Sequence, residues 1–326
     1  MEYKLYKLTF NTPVHFGSDI IGSSLEETDF ICHSDTFFSA LCLEYIKLNG
    51  SENINNFIDY FNNDNLLISS LLPYKNNDLY IPKPSIVIER NNTNNNKDEN
   101  ISTDRKKMKK LNYIKFSDIE KYINYVIGNE DFDFDFDFDL EYNNFAKYNL
   151  NQKVGLRDEE NRLYSLGTYS FYNNSGLYFI LSFSDNEKLH EFEKILKSLS
   201  YSGIGGKRMV GLGNFKYKVC EYNELEFKNK LFSASKYKML LSLYSPKENE
   251  INNIDFNNSF YSLIKRNGFI YSNAYSKNLQ KRKSISMFKE GSCFTNDIKG
   301  DIKDVSQEGN HKVYRYGKAF YIGIDI

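Results

Sequence analysis

The segment GIGGKRMVGLG (203–213) places five of the chain's 18 glycines in eleven residues, around the adjacent cations Lys207 and Arg208. Glycine lets a backbone approach a ligand closely, and clustered backbone N–H groups can form an anion nest. Gly203, Gly205 and Gly206 are therefore expected, with Lys207 and Arg208, to hold phosphate. Nucleotide-cofactor chemistry fits poorly. An NTPase loop needs Ser or Thr after Gly-Lys, and Arg208 follows Lys207 here. A dinucleotide fingerprint lies between a strand and a helix, whereas this loop follows a predicted helix and precedes a predicted strand. A tight helix-to-strand connection with no ligand is the plainer alternative; the paired cations favour a polyanion. No cofactor is expected.

Two histidines flank predicted element ends: His15 after the first strand and His33 before the first helix. Imidazoles beside a phosphate site suit general acid–base cleavage of RNA, because they titrate near neutrality. Ser34 or Asp35 is positioned to cap that helix. Further cations with neighbours suited to single-stranded RNA are Lys109 and Lys110, close to Tyr113. Arg157 falls in KVGLRDEENRLY, and Lys281, Arg282 and Lys283 form a cluster at the entrance to a predicted strand. Cys32, Cys42, Cys220 and Cys293 lack metal-ligand spacing and are expected to be reduced core thiols, so no metal is expected either.

The elements that must position these residues follow from hydrophobic periodicity. Residues 3–10 alternate as a strand with Tyr6, Leu8 and Phe10 on one face. Phe37, Phe38, Leu41, Cys42, Tyr45 and Ile46 recur at helical spacing before Gly50, and a shorter helix is expected over 54–61. Strands are expected at 66–72, 79–81, 163–172, 177–183 and 214–220, with a helix at 187–200 ending just before the glycine-rich segment. Residues 85–162 differ in character. They hold ERNNTNNNKDEN, a basic run over 105–110, a candidate helix at 117–127, and the run FDFDFDFD, whose strand alternation is outweighed by a charge density that argues for a solvated edge or loop, an acidic decoy of nucleic acid being the alternative. With that insertion set aside, the order is strand, helix, two strands, helix, strand, the ferredoxin-like arrangement. The remainder repeats the theme more loosely: strand 237–244, helix 256–266, strands 268–275 and 284–289, and a final strand 312–324.

The expected fold is thus α+β, with two ferredoxin-like (RRM-like) domains of antiparallel sheet, residues 1–220 and 221–326. A chain of 326 residues with 40% hydrophobic and 26% charged residues is long enough for two such cores. Its 26 Tyr and 26 Phe, with no Trp, supply their bulk. No stretch approaches eighteen apolar residues, and the start lacks a signal-peptide run, so a cytoplasmic protein with no membrane partner is expected. The net charge of −1 hides a split. Residues 201–326 carry 21 Lys and Arg against 12 Asp and Glu, and seven acids fall between Glu130 and Glu141. The basic C-terminal portion suits a polyanionic partner.

Four segments, TPVHFG (12–17), FICHSDTFFSALC (30–42), GIGGKRMVGLGNF (203–215) and HKVYRYGKAF (311–320), resemble in order the RAMP proteins of type III CRISPR effector complexes. The histidine-serine-aspartate helix start and the VYRYGKAF strand narrow the resemblance to the Csm-complex subunit that holds the 5′ end of the guide RNA. The resemblance implies a non-catalytic subunit with two ferredoxin-like folds and a thumb, here within 85–162. Its partners would be the 5′ tag of the crRNA, the large polymerase-like subunit, the backbone RAMP subunit of the filament and, indirectly, target RNA. Contacts to RNA are expected at Gly203, Gly205, Gly206, Lys207, Arg208, His15, Ser34, Lys109, Lys110, Arg157, Arg282 and Lys283. The alternative is a metal-independent endoribonuclease that processes CRISPR repeat RNA with His15 or His33. Against it, 113 residues follow Gly213, whereas such a loop lies near the terminus in processing nucleases.

Overall fold

The computed structural model describes residues 1–17, 25–87, 111–128, 144–157, 160–220, 225–272, 274–276 and 278–325. ERNNTNNNKDEN, the basic run with Lys109 and Lys110, and FDFDFDFD lie outside the described residues.

Strand β1 (Glu2–Phe10) alternates as its sequence dictates: Tyr6, Leu8 and Phe10 enter one apolar cluster and Leu5 another. β1 lies between β10 (Ser175–Phe183) and β11 (Phe215–Cys220), antiparallel to both. β10 also pairs with β4 (Leu66–Ile68) and β5 (Leu72–Lys75), both antiparallel. The sheet continues through β6 (Asp78–Pro82) to β7 (Tyr113–Lys115). All nine residues of β10 are buried, because both faces of this central strand are covered. Leu177, Phe179 and Leu181 face three helices, α1 (Ser34–Asn49), α2 (Ile54–Asn62) and α4 (Asn186–Ser202). Tyr178 and Ile180 face the second cluster, where helix α3 (Ile119–Ile127) and the C-terminal strands pack.

The described portion of the expected insertion is therefore not all protrusion. Residues 111–128 add strand β7 to the main sheet and bury Ile114, Phe116, Ile119, Tyr122 and Ile123. What does stand apart is a two-stranded hairpin, β8 (Ala146–Arg157) with β9 (Glu160–Phe171), in register over twelve residue pairs. It runs past residue 162 because β9 alternates without a break into the core residues Tyr169 and Phe171.

The C-terminal portion holds a three-stranded antiparallel sheet in the order β15 (Cys293–Phe294), β12 (Tyr237–Leu240), β18 (Tyr321–Ile324). Two ribbons accompany it: β13 (Leu263–Arg266) with β14 (Ile285–Phe288), and β16 (Gly300–Asp304) with β17 (Tyr314–Lys318). The helix expected over 256–266 is absent. Asp255 caps a single 3-10 turn, Phe256–Asn258, and from Leu263 the burial alternates with a period of two, as a strand requires. Among the described residues of 268–275 there is an isolated bridge, Phe269 to Lys281, in place of the expected strand. The final strand divides: β17 and β18 pair with different partners, and Phe320 between them is buried. Tyr237, Met239, Ile322 and Ile324 share one cluster with Leu5, Tyr178 and Ile180, so a continuous core spans the expected boundary at residue 220. The fold is mixed α+β with antiparallel sheets.

Candidate nucleic-acid interface

The glycine-rich loop joins α4 to β11, as its position in the sequence predicts. Its backbone is stitched to the segment after β1. The Gly206 N–H donates to the His15 carbonyl (2.8 Å) and the Gly213 N–H to the Pro13 carbonyl (2.9 Å). Ile204 N–H closes the loop onto the Gly213 carbonyl (3.0 Å), and Gly203 N–H completes the helix end at Leu199 (2.8 Å). The amides of Gly203 and Gly206 thus position the loop, and the expectation that they cradle phosphate is corrected. Gly205 has φ +96° and lies so close to the His15 carbonyl that a Cβ would stand 2.6 Å from its oxygen. Close approach within the protein explains Gly203, Gly205, Gly206 and Gly213, whereas Gly211 has open space around it and is required by its φ of +88°.

Ile204 anchors the loop in the core, while the side chains from Lys207 to Val210 are turned outward. Lys207, left-handed at φ +58°, sets Nζ 4.8 Å from the centre of the Tyr164 ring on β9. Lys153 is directly opposite Tyr164 in the hairpin register, and Arg162 is two residues along the same face. On the other side, the Arg208 guanidinium is 5.3 Å from the centre of the Tyr271 ring. Cations over ring faces are held there electrostatically. Tyr164, Tyr271, Lys153 and Arg162 were not singled out in the sequence. Period-two alternation around 163–172 marks a strand, but only the hairpin register shows which residues share the face toward Lys207.

His15 is buried between loop and hairpin, with Nδ1 2.8 Å from the Gly167 carbonyl. Burial lowers its pKa; the Gly167 carbonyl opposes this and Lys207 adds to it. The neutral ring donates its Nδ1 proton to that carbonyl. His15 therefore fastens the loop to the hairpin and offers little surface to RNA, which corrects its expected contact role.

The histidine-serine-aspartate helix start has been drawn inward. Ser34 is fully buried: its N–H donates to Ser70 Oγ (2.9 Å) and its hydroxyl accepts from the Leu243 N–H (3.0 Å). It cannot contact RNA, and no side chain caps α1. Asp35 is not a cap. Arg266 holds it with two 2.9 Å hydrogen bonds, and Arg315 bonds its Oδ2. Arg282 is half-buried beside this cluster. Burial and Arg315 draw its pKa down to about 10, against the pull of Asp35. Of the three clustered cations, Lys281 and Lys283 remain exposed, whereas Arg282 lies within the field of the Asp35–Arg315 pair. Lys109 and Lys110 lie outside the described residues, as does the Arg157 side chain.

His33 is equally enclosed, with Nδ1 2.8 Å from the buried Glu290 carboxylate, which also accepts from Ser70. Burial alone would depress the imidazole, but the carboxylate beside it raises its pKa overall. Burial likewise opposes ionisation of Glu290, yet His33 and Ser70 bring it down to about 2. His33 stabilises fully below its unfolded value of about 6.5 and less as pH rises through its raised folded value. Glu290 stabilises fully above about 4.3 and less as pH falls toward its folded value. The pair is thus most effective between about pH 4.5 and 6.5. Urea midpoints should fall more steeply for the native chain than for Glu290→Gln between pH 6 and 8.5; parallel pH profiles would remove the pair as the cause.

Among the described residues, no group of three or more His, Cys, Asp and Glu side chains could hold a metal ion, and no helix is long and apolar enough to cross a membrane.

Comparison with known proteins gives a consistent result. Residues 233–324 match the CRISPR Csm4 C-terminal domain family. A Csm4 protein of Methanocaldococcus jannaschii is 29% identical, covering 99% of this chain and 97% of that protein. One from Streptococcus thermophilus is 27% identical over the full length of both. Among solved structures, a Csm3-Csm4 subcomplex of a type III-A CRISPR-Cas interference complex superposes with TM-score 0.65 at 23% identity, covering 99% of each chain. A Csm1-Csm4 cassette bound to cA4 superposes with TM-score 0.58 at 17% identity, covering 99% of this chain and 98% of that one.

Proposed function

Because the chain belongs to the Csm4 family, we propose that it is a non-catalytic subunit of a type III-A CRISPR effector complex that binds the 5′ tag of the guide RNA. The observation that carries this reading is the placement of Lys207 and Arg208 on a rigidly anchored loop, each against a tyrosine ring, beside a hairpin face bearing Lys153 and Arg162. Cations that track a backbone, interleaved with rings that stack bases, are what single-stranded RNA recognition uses. In this reading Lys207, Arg208 and Lys283 meet phosphate. The hairpin acts as the thumb, and the two halves correspond to related ferredoxin-like units. The similar Csm3-Csm4 and Csm1-Csm4 assemblies support partners of the same kind, a Csm3-like backbone subunit and a Csm1-like large subunit, and in this reading the complex is cytoplasmic.

The burial of both His15 and His33 speaks against the endoribonuclease alternative, since a general acid or base must reach its substrate. Two measurements test the proposal. Photocrosslinking of the assembled particle should join the 203–213 loop to nucleotides of the guide's 5′ tag; crosslinks confined to protein would overturn it. Labelled repeat RNA incubated with the purified chain in EDTA should stay intact. Specific cutting abolished by His15→Ala or His33→Ala would establish the nuclease instead.

A further inference from the structure

Tyr271 lies in the irregular loop 268–282 of the C-terminal portion, 57% exposed, yet its ring is held on two sides by the glycine-rich loop. The Arg208 guanidinium sits over the ring, and the hydroxyl donates to Met209 Sδ at 3.1 Å. Met209 is 86% exposed and Val210 75%. An ordered ring beside a methionine side chain left in water is a surface suited to cover by another apolar plane. Lys207 and Arg208 are adjacent but diverge, because Lys207 is left-handed, and each reaches a different tyrosine. The loop is therefore bracketed by two cation–ring pairs, one on the hairpin and one on the 268–282 loop. A planar guanidinium that stacks on a ring keeps its other face for a base.

We propose that Tyr271 is a base-stacking residue of the RNA site, receiving one unstacked base on the platform it forms with Arg208 and Met209. This rests on the RNA-binding reading above and adds to it a site contributed by the C-terminal portion.

The test uses the full chain and a single-stranded RNA of tag sequence carrying 2-aminopurine at successive positions. One position should be quenched on binding through Tyr271. Tyr271→Phe should keep that signal, and Tyr271→Ala should abolish it and weaken binding about 5- to 150-fold, the range for one stacked base. The salt dependence should be unchanged in Tyr271→Ala, since no charge is lost, but shallower in Lys207→Ala with Arg208→Ala. If the double variant loses RNA while Tyr271→Ala binds and quenches as the native chain does, the Tyr271 platform is refuted and the RNA site stands. If neither variant alters binding, both readings fall.

Discussion

Asp35→Ala is expected to destabilise the chain by about 3–5 kcal/mol, the cost of removing one partner from a buried ion pair. Asp35 is 2% exposed, and it is the shared counter-ion of Arg266 and Arg315, themselves 7% and 2% exposed. Burial and the neighbouring Arg315 already draw Arg266 down to about 9, even with Glu290 opposing them, so this site tolerates its positive charges poorly. Without the carboxylate, two guanidiniums remain in a low-dielectric interface facing each other. Replacing all three at once, with Asp35→Leu, Arg266→Met and Arg315→Met, should recover part of the loss, because of the guanidiniums that Asp35 attracts only Arg282 is then left. Urea unfolding of the single and triple variants measures both effects. A shift of less than 1 kcal/mol for Asp35→Ala would mean that water reaches the cluster and that it does not fasten the halves. The effect is large because α1, β13 and β17 all meet at this one carboxylate.

Replacing Lys207 and Arg208 together with alanine should weaken binding to single-stranded tag RNA by on the order of a hundredfold, taking about 1.5 kcal/mol for each charge-assisted contact. The slope of log affinity against log salt should become shallower by about 1.4, or about 0.7 per lost phosphate contact. Both residues are only partly exposed and rest on rings, so their conformational freedom is already reduced before RNA arrives. Lys194→Ala, on an exposed position of α4, serves as the charge control and should change neither quantity. A double variant with native affinity and native slope would place the phosphate contacts elsewhere on the chain.

The regular elements of the N-terminal half are legible in the sequence because they are set by local periodicity. Tyr6, Leu8 and Phe10 alternate, and Phe37, Phe38, Leu41 and Tyr45 recur at helical spacing; all of them are buried as that spacing requires. The glycine-rich loop is legible for a related reason: a connection that packs backbone against backbone excludes a Cβ, which concentrates glycine in one segment. The C-terminal portion is less legible. Between 256 and 275, the described residues hold a single four-residue strand between Asn-rich turns, and no stretch is long enough for one period to dominate.

What each polar residue does was decided by tertiary structure. By itself the sequence determines that Ser34 and Asp35 open a helix; it is the fold that brings Arg266 to Asp35 across 231 positions and Arg315 across 280, turning an expected cap into a buried counter-ion. Likewise, local chemistry marks Lys207 and Arg208 as cations on a glycine loop, but their rings come from a hairpin and a distant loop. Hydrophobic period and glycine content act through neighbours along the chain, whereas charge pairing and ring stacking act through space, between partners that only the completed fold brings within a few ångströms.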